Sequence, residues 1–321
     1  MNIKDQVLKA EKRIRKYVRE TPLDHSPYLS KLSNANVYLK LENLQLTGSF
    51  KARGALNKIL SLSKEQREKG ITTASTGNHA LAVANALKMI GGKGTIYLPS
   101  NAAKTKVEAL GYYNIQLKFH GNSCDEAEIF ARKVANKKGL TFISPYNDPQ
   151  VIGGQGTIGV ELYKQLKDID CLFLSIGGGG LVSGIAGYLK AMKPEVKIIG
   201  CWAESSPVMY ECIKAGKIIP VSEKETLSDG AAGGIEPGSI TFEPTRKLVD
   251  DYILVTEDEI KKAIKLILEK HHLVIEGAAG VAVASYLKQK EKYKAKNVAI
   301  LICGGNISVE KLTHILSGNE H

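Results

Sequence analysis

Short runs of β-branched and apolar residues alternate with longer stretches of helical periodicity from about residue 70 onward. Strand-like GITTAS, GTIYLPS and IQLKFHG are each followed by a helical segment, such as NHALAVANALKMIGG or CDEAEIFARKVANKKG. This alternation is typical of βαβ units, in which helices cover the faces of a parallel sheet. The pattern predicts a first α/β sheet that ends, after LTFIS, near Asn147.

A second series begins after YNDPQVIGGQGT, whose prolines and glycines predict a connection between the two series. It runs through helix IGVELYKQL, strand CLFLSI, helix SGIAGYLKAM and strand KIIGCWAE, and it ends in strand NVAILIC. Upstream, Val7, Ala10, Ile14 and Val18 form one apolar stripe and predict an amphipathic N-terminal helix. We therefore predict an α/β protein with two open, twisted sheets of parallel type.

Composition excludes several classes of protein. With 43% hydrophobic and 24% charged residues, the chain is typical of a globular protein, and no apolar run reaches the roughly 18 residues of a membrane helix. The N-terminus lacks the apolar core of a signal peptide, and the 5 cysteines contain no C-x-x-C pair. These features predict a cytoplasmic protein with no membrane partner.

The formal net charge of +11 raises the hypothesis of nucleic-acid binding. However, lysines alternate with glutamates, as in EDEIKKAIKLILEKHH, and only 6% of the residues are aromatic. No basic cluster with interleaved aromatic residues is present to follow phosphates and stack bases. We therefore expect a solvated, lysine-rich surface and no nucleic-acid partner.

Four glycines follow the predicted strand CLFLSI and run directly into a helix: Gly177, Gly178, Gly179 and Gly180. Ligands of open parallel sheets collect at the carboxyl ends of strands, and glycines let backbone N–H groups approach an anion closely. A dinucleotide site is an alternative, because Glu204 ends the next strand, but the loop does not have the form G-x-G-x-x-G. One phosphate is the better prediction.

A second candidate site follows GITTA and consists of Ser75, Thr76, Gly77, Asn78 and His79. Hydroxyl, amide and imidazole groups at the start of a helix suit a carboxylate ligand, although helix capping alone is an equally good explanation.

Lys51 is preceded by Phe50 where a helix is about to begin. In a chain with 44 lysines and arginines, a solvated helix face is the ordinary explanation. The alternative is a lysine held beside an aromatic ring for covalent chemistry. Cys303, at the end of NVAILIC, would by itself be a small buried hydrophobic residue.

Taken together, a phosphate cradle, a carboxylate cradle and this lysine describe a pyridoxal-phosphate site for amino acids. The chain resembles the threonine dehydratase and serine racemase group of fold-type-II pyridoxal-phosphate enzymes. The resemblance runs in order through KLENLQLTGSFKARGA, STGNHA, GGQGT, SIGGGG, LSDG, IEGAAG and CGGN. It implies a tryptophan synthase β-like fold with the cofactor in a cleft. Residues 1–69 and 147–321 would form a large cofactor-binding domain, and residues 70–146 a small, mobile substrate-binding domain.

The resemblance also implies roles for the cofactor-binding residues. Lys51 would form a Schiff base with the cofactor and later remove the Cα proton of the substrate, with Phe50 close to the cofactor. Asn78 would donate a hydrogen bond to the ring hydroxyl, and Gly177–Gly180 would hold the phosphate. Cys303 would face the pyridine nitrogen, which makes the ring a weaker electron sink than a carboxylate partner would.

For the substrate, the resemblance implies that Ser75, Thr76, Gly77, Asn78 and His79 face its carboxylate. Glu276, in IEGAAG, falls where the group carries an acid at the site. The group's metal site pairs a glutamate with an aspartate six residues later. Here Glu204 fits but Tyr210 replaces the aspartate. We therefore expect little activation by a divalent cation, and a monovalent cation would be bound mainly by carbonyl oxygens. The group is usually homodimeric.

The implied reaction is dehydration and deamination of a β-hydroxy amino acid, such as L-threonine, L-serine or 3-hydroxyaspartate, to a 2-oxo acid and ammonia. Thr76 stands where racemases of this group place a serine, so amino-acid racemisation is an alternative. A β-replacement synthase agrees less well with the sequence around Lys51, and STGNH argues against a non-catalytic cofactor carrier.

Overall fold

The computed structural model describes residues 1–113 and 115–317, which form two sheets flanked by helices. The strands are β1 (Leu23–His25), β2 (Asn36–Leu41), β3 (Ile71–Ala74), β4 (Gly94–Leu98), β5 (Gln116–Phe119), β6 (Thr141–Phe142), β7 (Cys171–Ser175), β8 (Lys197–Ala203), β9 (Asp251–Val255) and β10 (Asn297–Ile302). The α-helices are α1 (Ile3–Ile14), α2 (Pro27–Ser33), α3 (Lys51–Ser61), α4 (Lys64–Lys69), α5 (Asn78–Ile90), α6 (Lys104–Gly111), α7 (Cys124–Lys138), α8 (Pro149–Gln165), α9 (Gly180–Met192), α10 (Val208–Ala215), α11 (Phe242–Leu248), α12 (Glu257–His271), α13 (Gly277–Gln289) and α14 (Val309–Leu316). Short 3₁₀ helices cover Glu42–Leu44, Leu46–Gly48 and Lys290–Tyr293.

The larger sheet has the strand order β1-β2-β10-β7-β8-β9, and the smaller sheet has the order β5-β4-β3-β6. Neighbouring strands are parallel throughout, except for the short edge strand β1, which pairs with β2 in antiparallel register. The prediction of two α/β sheets of parallel type is confirmed. The carboxyl ends of β3, β7 and β10 precede the candidate residues, so the fold presents these residues in loops between strand and helix.

The structure corrects the predicted connection at VIGGQGT. Helix α8 already begins at Pro149, with the Asp148 carboxylate accepting hydrogen bonds from the first free N–H groups. Its glycines are places of close helix packing, since a Cβ on Gly154 would lie 2.6 Å from the carbonyl oxygen of Arg53, and one on Gly156 would lie 2.8 Å from that of Gly184. Glycine therefore permits packing here, and does not mark a turn.

The predicted N-terminal helix is confirmed as α1, whose buried stripe packs mainly against α8. The hydrophobic core of the larger sheet is continuous, because β7 is buried along its whole length and β10 along all but its first residue. Strands β1, β2 and β9 were not predicted from the alternation that begins at residue 70. Within the described part of the chain, no helix is long and apolar enough to cross a membrane.

Candidate active site

Lys51 is the first residue of α3, and the backbone fixes it at the end of β10. The N–H group of Phe50 donates a hydrogen bond of 3.1 Å to the carbonyl oxygen of Cys303. The ammonium nitrogen lies 5.2 Å from the centre of the Phe50 ring and donates to the carbonyl oxygen of Pro145 at 3.1 Å. Burial lowers the pKa of Lys51 to about 8, although the nearby acid Glu276 favours the charged form. Lys51 is therefore partly buried and held by contacts with the protein, unlike a lysine on a solvated helix face.

Glu276 lies in the same region and is only 5% exposed. The side-chain amide of Asn78 donates to both carboxylate oxygens at 2.9 Å, and Asn306 donates in turn to the amide oxygen of Asn78 at 2.7 Å. Burial raises the pKa of Glu276 to about 7, while the hydrogen bonds from Asn78 act in the opposite direction. The three side chains join the start of α5, in the smaller sheet's layer, to the loop after β10.

Cys303 ends β10 as a buried thiol. Its sulfur lies 3.8 Å from a carboxylate oxygen of Glu276 and accepts from the hydroxyl of Ser175 at 3.7 Å. Burial raises the pKa of Cys303, so the thiol remains protonated.

Ser75, Thr76 and Gly77 form the loop between β3 and α5. The Ser75 hydroxyl accepts from the N–H of Gly77 at 3.2 Å, and the Thr76 hydroxyl lies 4.0 Å from the sulfur of Cys124. A Cβ on Gly77 would meet no atom within 4 Å, so the loop borders open space. The backbone N–H groups at the start of α5 point out of the helix without an intrahelical acceptor.

His79 is buried, and its Nε2 lies 3.0 Å from the carbonyl oxygen of Ile143. Because a carbonyl oxygen only accepts, Nε2 carries a hydrogen and donates it to Ile143. Burial, reinforced by the charge of Lys51, lowers the pKa of His79 to about 3. The imidazole thus holds α5 against the smaller sheet, and the backbone N–H of His79 is the group left for a ligand.

Gly177–Gly180, the glycine loop, joins β7 to α9. Among the described residues, none of their four N–H groups donates a hydrogen bond to a protein acceptor. The carbonyl oxygen of Gly178 accepts from the hydroxyl of Thr241 at 2.6 Å, and Gly179 has the left-handed φ of 81° that favours glycine. These four N–H groups lie at the start of a 13-residue helix, where the positive electrostatic potential attracts an anion.

Glu204 lies just after β8, where its carboxylate is half-exposed and 3.8 Å from the ammonium of Lys288. In the described ranges, no group of three or more His, Cys, Asp or Glu side chains could hold a metal ion. Metal binding by Glu204 stays a prediction.

A buried ion cluster supports the start of α3. Arg53, which is fully buried, donates to Glu42 at 2.7 and 2.8 Å and to Glu161 at 2.6 and 3.0 Å. Lys40 donates to Glu161 at 2.6 Å, and Arg15 reaches the same carboxylate at 2.6 Å. The cluster ties α1, β2, α3 and α8 together and fixes the backbone two residues after Lys51.

Sequence reasoning missed Asn306, Pro145 and Tyr146, which contact the predicted site residues. Asn306 is the last residue of the quoted motif CGGN, so its neighbourhood was visible but not its bond to Asn78. Pro145 and Tyr146 act through a backbone carbonyl and through packing, and neither contact leaves a pattern in a single sequence.

These features define an α/β protein in which a partly buried lysine, a buried acid and a glycine loop with free N–H groups surround the ends of parallel strands. Residues 14–304 match the family described as "Pyridoxal-phosphate dependent enzyme", and the chain belongs to this family. Its cofactor is pyridoxal phosphate, and the predicted fold type is confirmed.

One protein with a similar sequence and two with similar structures place the chain more closely within this family. A protein of Thermotoga maritima named L-threonine ammonia-lyase is 42% identical over 313 residues, which cover 98% of this chain and 78% of that protein. The structure of the processed form of threonine deaminase isoform 2 from Solanum lycopersicum superposes with a TM-score of 0.94 at 34% identity, covering 98% of this chain and 87% of the other. The structure of maize serine racemase has a TM-score of 0.90 at 32% identity, with 98% of both chains covered.

Proposed function

We propose that this enzyme deaminates L-threonine to a 2-oxo acid and ammonia, with L-serine as a second substrate. Water is lost across the Cα–Cβ bond, and hydrolysis of the resulting enamine returns one water, so the net products are the oxo acid and ammonia. The observation that carries the proposal is the Lys51 amine, desolvated and directed into a site that also holds a buried acid and the glycine loop. Similarity to two proteins named for threonine deamination supports the choice of substrate.

The residues present fit pyridoxal phosphate. The free N–H groups of Gly177–Gly180 suit its phosphate, and Lys51 supplies the amine for covalent attachment. Asn78 lies beside the expected ring position with Glu276 and Cys303, and Phe50 borders the amine. When bound, the cofactor supplies the electron sink that makes the Cα–H of an amino acid acidic.

We infer that Lys51 accepts the Cα proton. A pKa of about 8 leaves an appreciable fraction of free amine at neutral pH, whereas an ordinary lysine is almost fully protonated there. After it accepts the proton, the ammonium is stabilised by the carbonyl oxygen of Pro145 and by the negative potential of Glu276.

The substrate carboxylate is assigned to the loop of Ser75, Thr76 and Gly77 and to the N–H groups of Asn78 and His79. This assignment is supported by the open space beside Gly77 and by the positive potential of the α5 N-terminus. A carboxylate bound there is held by backbone groups, and every amino acid has this carboxylate. The loop therefore does not select for the side chain of the substrate.

Racemisation is the second candidate function, because Thr76 carries a hydroxyl in this loop and the fold is close to that of maize serine racemase. Deamination and racemisation begin with the same proton removal but differ in their products, since only deamination releases ammonia.

The two functions are tested with purified holoenzyme and a panel of L-threonine, L-serine and 3-hydroxyaspartate. We expect equal molar yields of 2-oxo acid and ammonia from L-threonine, with L-serine slower. Inversion at Cα without ammonia, measured as D-serine from L-serine or D-allo-threonine from L-threonine, would instead assign the racemase, and no change in any substrate would contradict both functions.

We further propose that residues 70–146 form a small mobile domain and that residues 1–69 and 147–321 form the cofactor-binding domain. Helices of the small domain contact the loop of residues 229–241, which we call the bridging loop. Arg132 pairs with Glu236 at 3.2 Å, and Lys106 lies 3.8 Å from Asp229. The first pair is partly exposed and the second is exposed, and ion pairs of this kind are weak enough to open during turnover. Amide exchange within 70–146 should slow when substrate is bound, and unchanged exchange there would contradict the proposal.

That the enzyme is a homodimer and that it is located in the cytoplasm both remain predictions from the sequence.

A further inference from the structure

Tyr146 packs directly on the glycine loop. A Cβ on Gly178 would lie between 2.5 and 2.7 Å from three atoms of the Tyr146 ring, so the ring occupies the space that any side chain at position 178 would need. A Cβ on Gly180 would lie 2.9 Å from the carbonyl oxygen of Tyr146. The loop therefore rests on Tyr146 at two of its four residues.

The same residue is connected to the lysine and to the bridging loop. Its neighbour Pro145 accepts the hydrogen bond from the Lys51 amine, and the phenol oxygen of Tyr146 accepts from the N–H of Glu236 at 3.0 Å. The bridging loop also reaches Gly178, where Thr241 donates to its carbonyl oxygen. Gly178 is thus in contact with both the Tyr146 ring and Thr241.

This support matters because the N–H groups of the glycine loop have no protein acceptors among the described residues. A glycine-rich backbone has many accessible conformations, and no hydrogen bond from the N–H groups of the loop selects one of them. A rigid neighbour that fills the space beside Gly178 removes that freedom before the anion arrives.

We propose that Tyr146 is a positioning residue that fixes the glycine loop in its phosphate-binding conformation and, through Pro145, aligns that loop with the Lys51 amine. The proposal rests on the assignment of the cofactor phosphate to Gly177–Gly180. The contact with Gly178 is made by the Tyr146 ring, whereas the phenol oxygen accepts from the bridging loop, so the proposed role belongs to the ring.

The test compares the affinity of apo-protein for pyridoxal phosphate and for pyridoxal, which lacks the phosphate, by absorbance titration. The wild type should strongly prefer pyridoxal phosphate. Tyr146→Ala should reduce that preference by about ten- to hundredfold, the equivalent of one or two charge-assisted hydrogen bonds, while its affinity for pyridoxal changes little. Tyr146→Phe keeps the ring and should retain the preference.

Gly178→Ala tests the same contact from the other side, and it also serves if Tyr146→Ala does not fold. The new methyl group must displace the Tyr146 ring, so this variant should also lose the preference, and the double variant should recover part of it because the methyl fills the vacated space. Tyr286→Ala is the control, since this buried tyrosine packs against Phe173 and Tyr293 instead.

The possible failures are distinguishable. A wild type that binds both compounds equally would reject the phosphate assignment itself. A wild type with a clear preference, combined with variants at Tyr146 and Gly178 that keep it or that lose affinity for both compounds equally, would overturn the role of Tyr146 alone.

Discussion

Lys51→Ala is expected to reduce 2-oxo acid formation from L-threonine by at least about a thousandfold, because one substitution removes both the covalent attachment point and the base. The purified variant should also lose the visible absorbance that accompanies a cofactor bound through the lysine. Steady-state rates and absorption spectra measure the two losses separately. The N-terminus of α3 should stay folded, since Phe50 and Arg53 fix the backbone on either side.

Two controls separate chemistry from folding. Lys64→Ala removes an exposed lysine whose contact is an ion pair with Glu68 at 3.7 Å, and it should leave the rate unchanged. Addition of methylamine to Lys51→Ala should restore part of the activity, because a free amine can enter the vacated space and accept the proton. A Lys51→Ala enzyme with near wild-type rates would overturn the assignment of the base.

Sequence patterns predicted the parts of the fold that depend on local periodicity. The alternation of β-branched runs with helical stretches was sufficient for the two parallel sheets, because strand and helix periods differ and do not depend on distant residues. The helical start of VIGGQGT was mistaken for a connection. Its glycines serve the approach of α3 and α9, and a contact between helices far apart in sequence is invisible to local patterns.

In the site, too, local patterns were sufficient for some residues, whereas others depend on contacts between distant parts of the chain. The glycine loop and Lys51 were recognisable because their residue types are unusual at the ends of strands. The burial of His79 depends on its contact with Ile143, and Glu276 is bonded to Asn78 and Cys303. These partners are up to 198 positions apart in sequence, and only the fold brings them together. Lys40 and Arg53 lie in one quoted motif, yet their common partner Glu161 is more than 100 residues away.

Arg53→Met is expected to lower the free energy of unfolding by about 3–5 kcal/mol, the usual result of removing one partner from a buried ion pair. Methionine approximates the length of the arginine stem, so the main loss is the charge between Glu42 and Glu161, which Lys40 and Arg15 cannot fully replace. Urea unfolding measures the change. Arg246→Met removes an exposed pair with Glu243 and should leave the free energy of unfolding nearly unchanged.

The cluster also predicts how stability depends on pH. Burial alone would raise the pKa of Glu161, but Arg53 and Lys40 outweigh it and lower the pKa to about 2. A carboxyl whose pKa is lower in the folded state contributes stability that is fully present above its unfolded pKa, about 4.5, and is lost as the pH falls towards 2. The contribution of Glu161 is on the order of 3 kcal/mol.

Arg53→Met should therefore flatten the acid limb of the stability curve as well as lower its plateau. Without the guanidinium, the folded-state pKa of Glu161 moves back towards its unfolded value, so fewer protons are taken up on unfolding between pH 4.5 and 2. Urea unfolding at a series of pH values measures this slope. A variant that keeps the wild-type slope would show that Lys40 and Arg15 alone hold the charge on Glu161, and Arg53 would then act chiefly by packing α3 against α8.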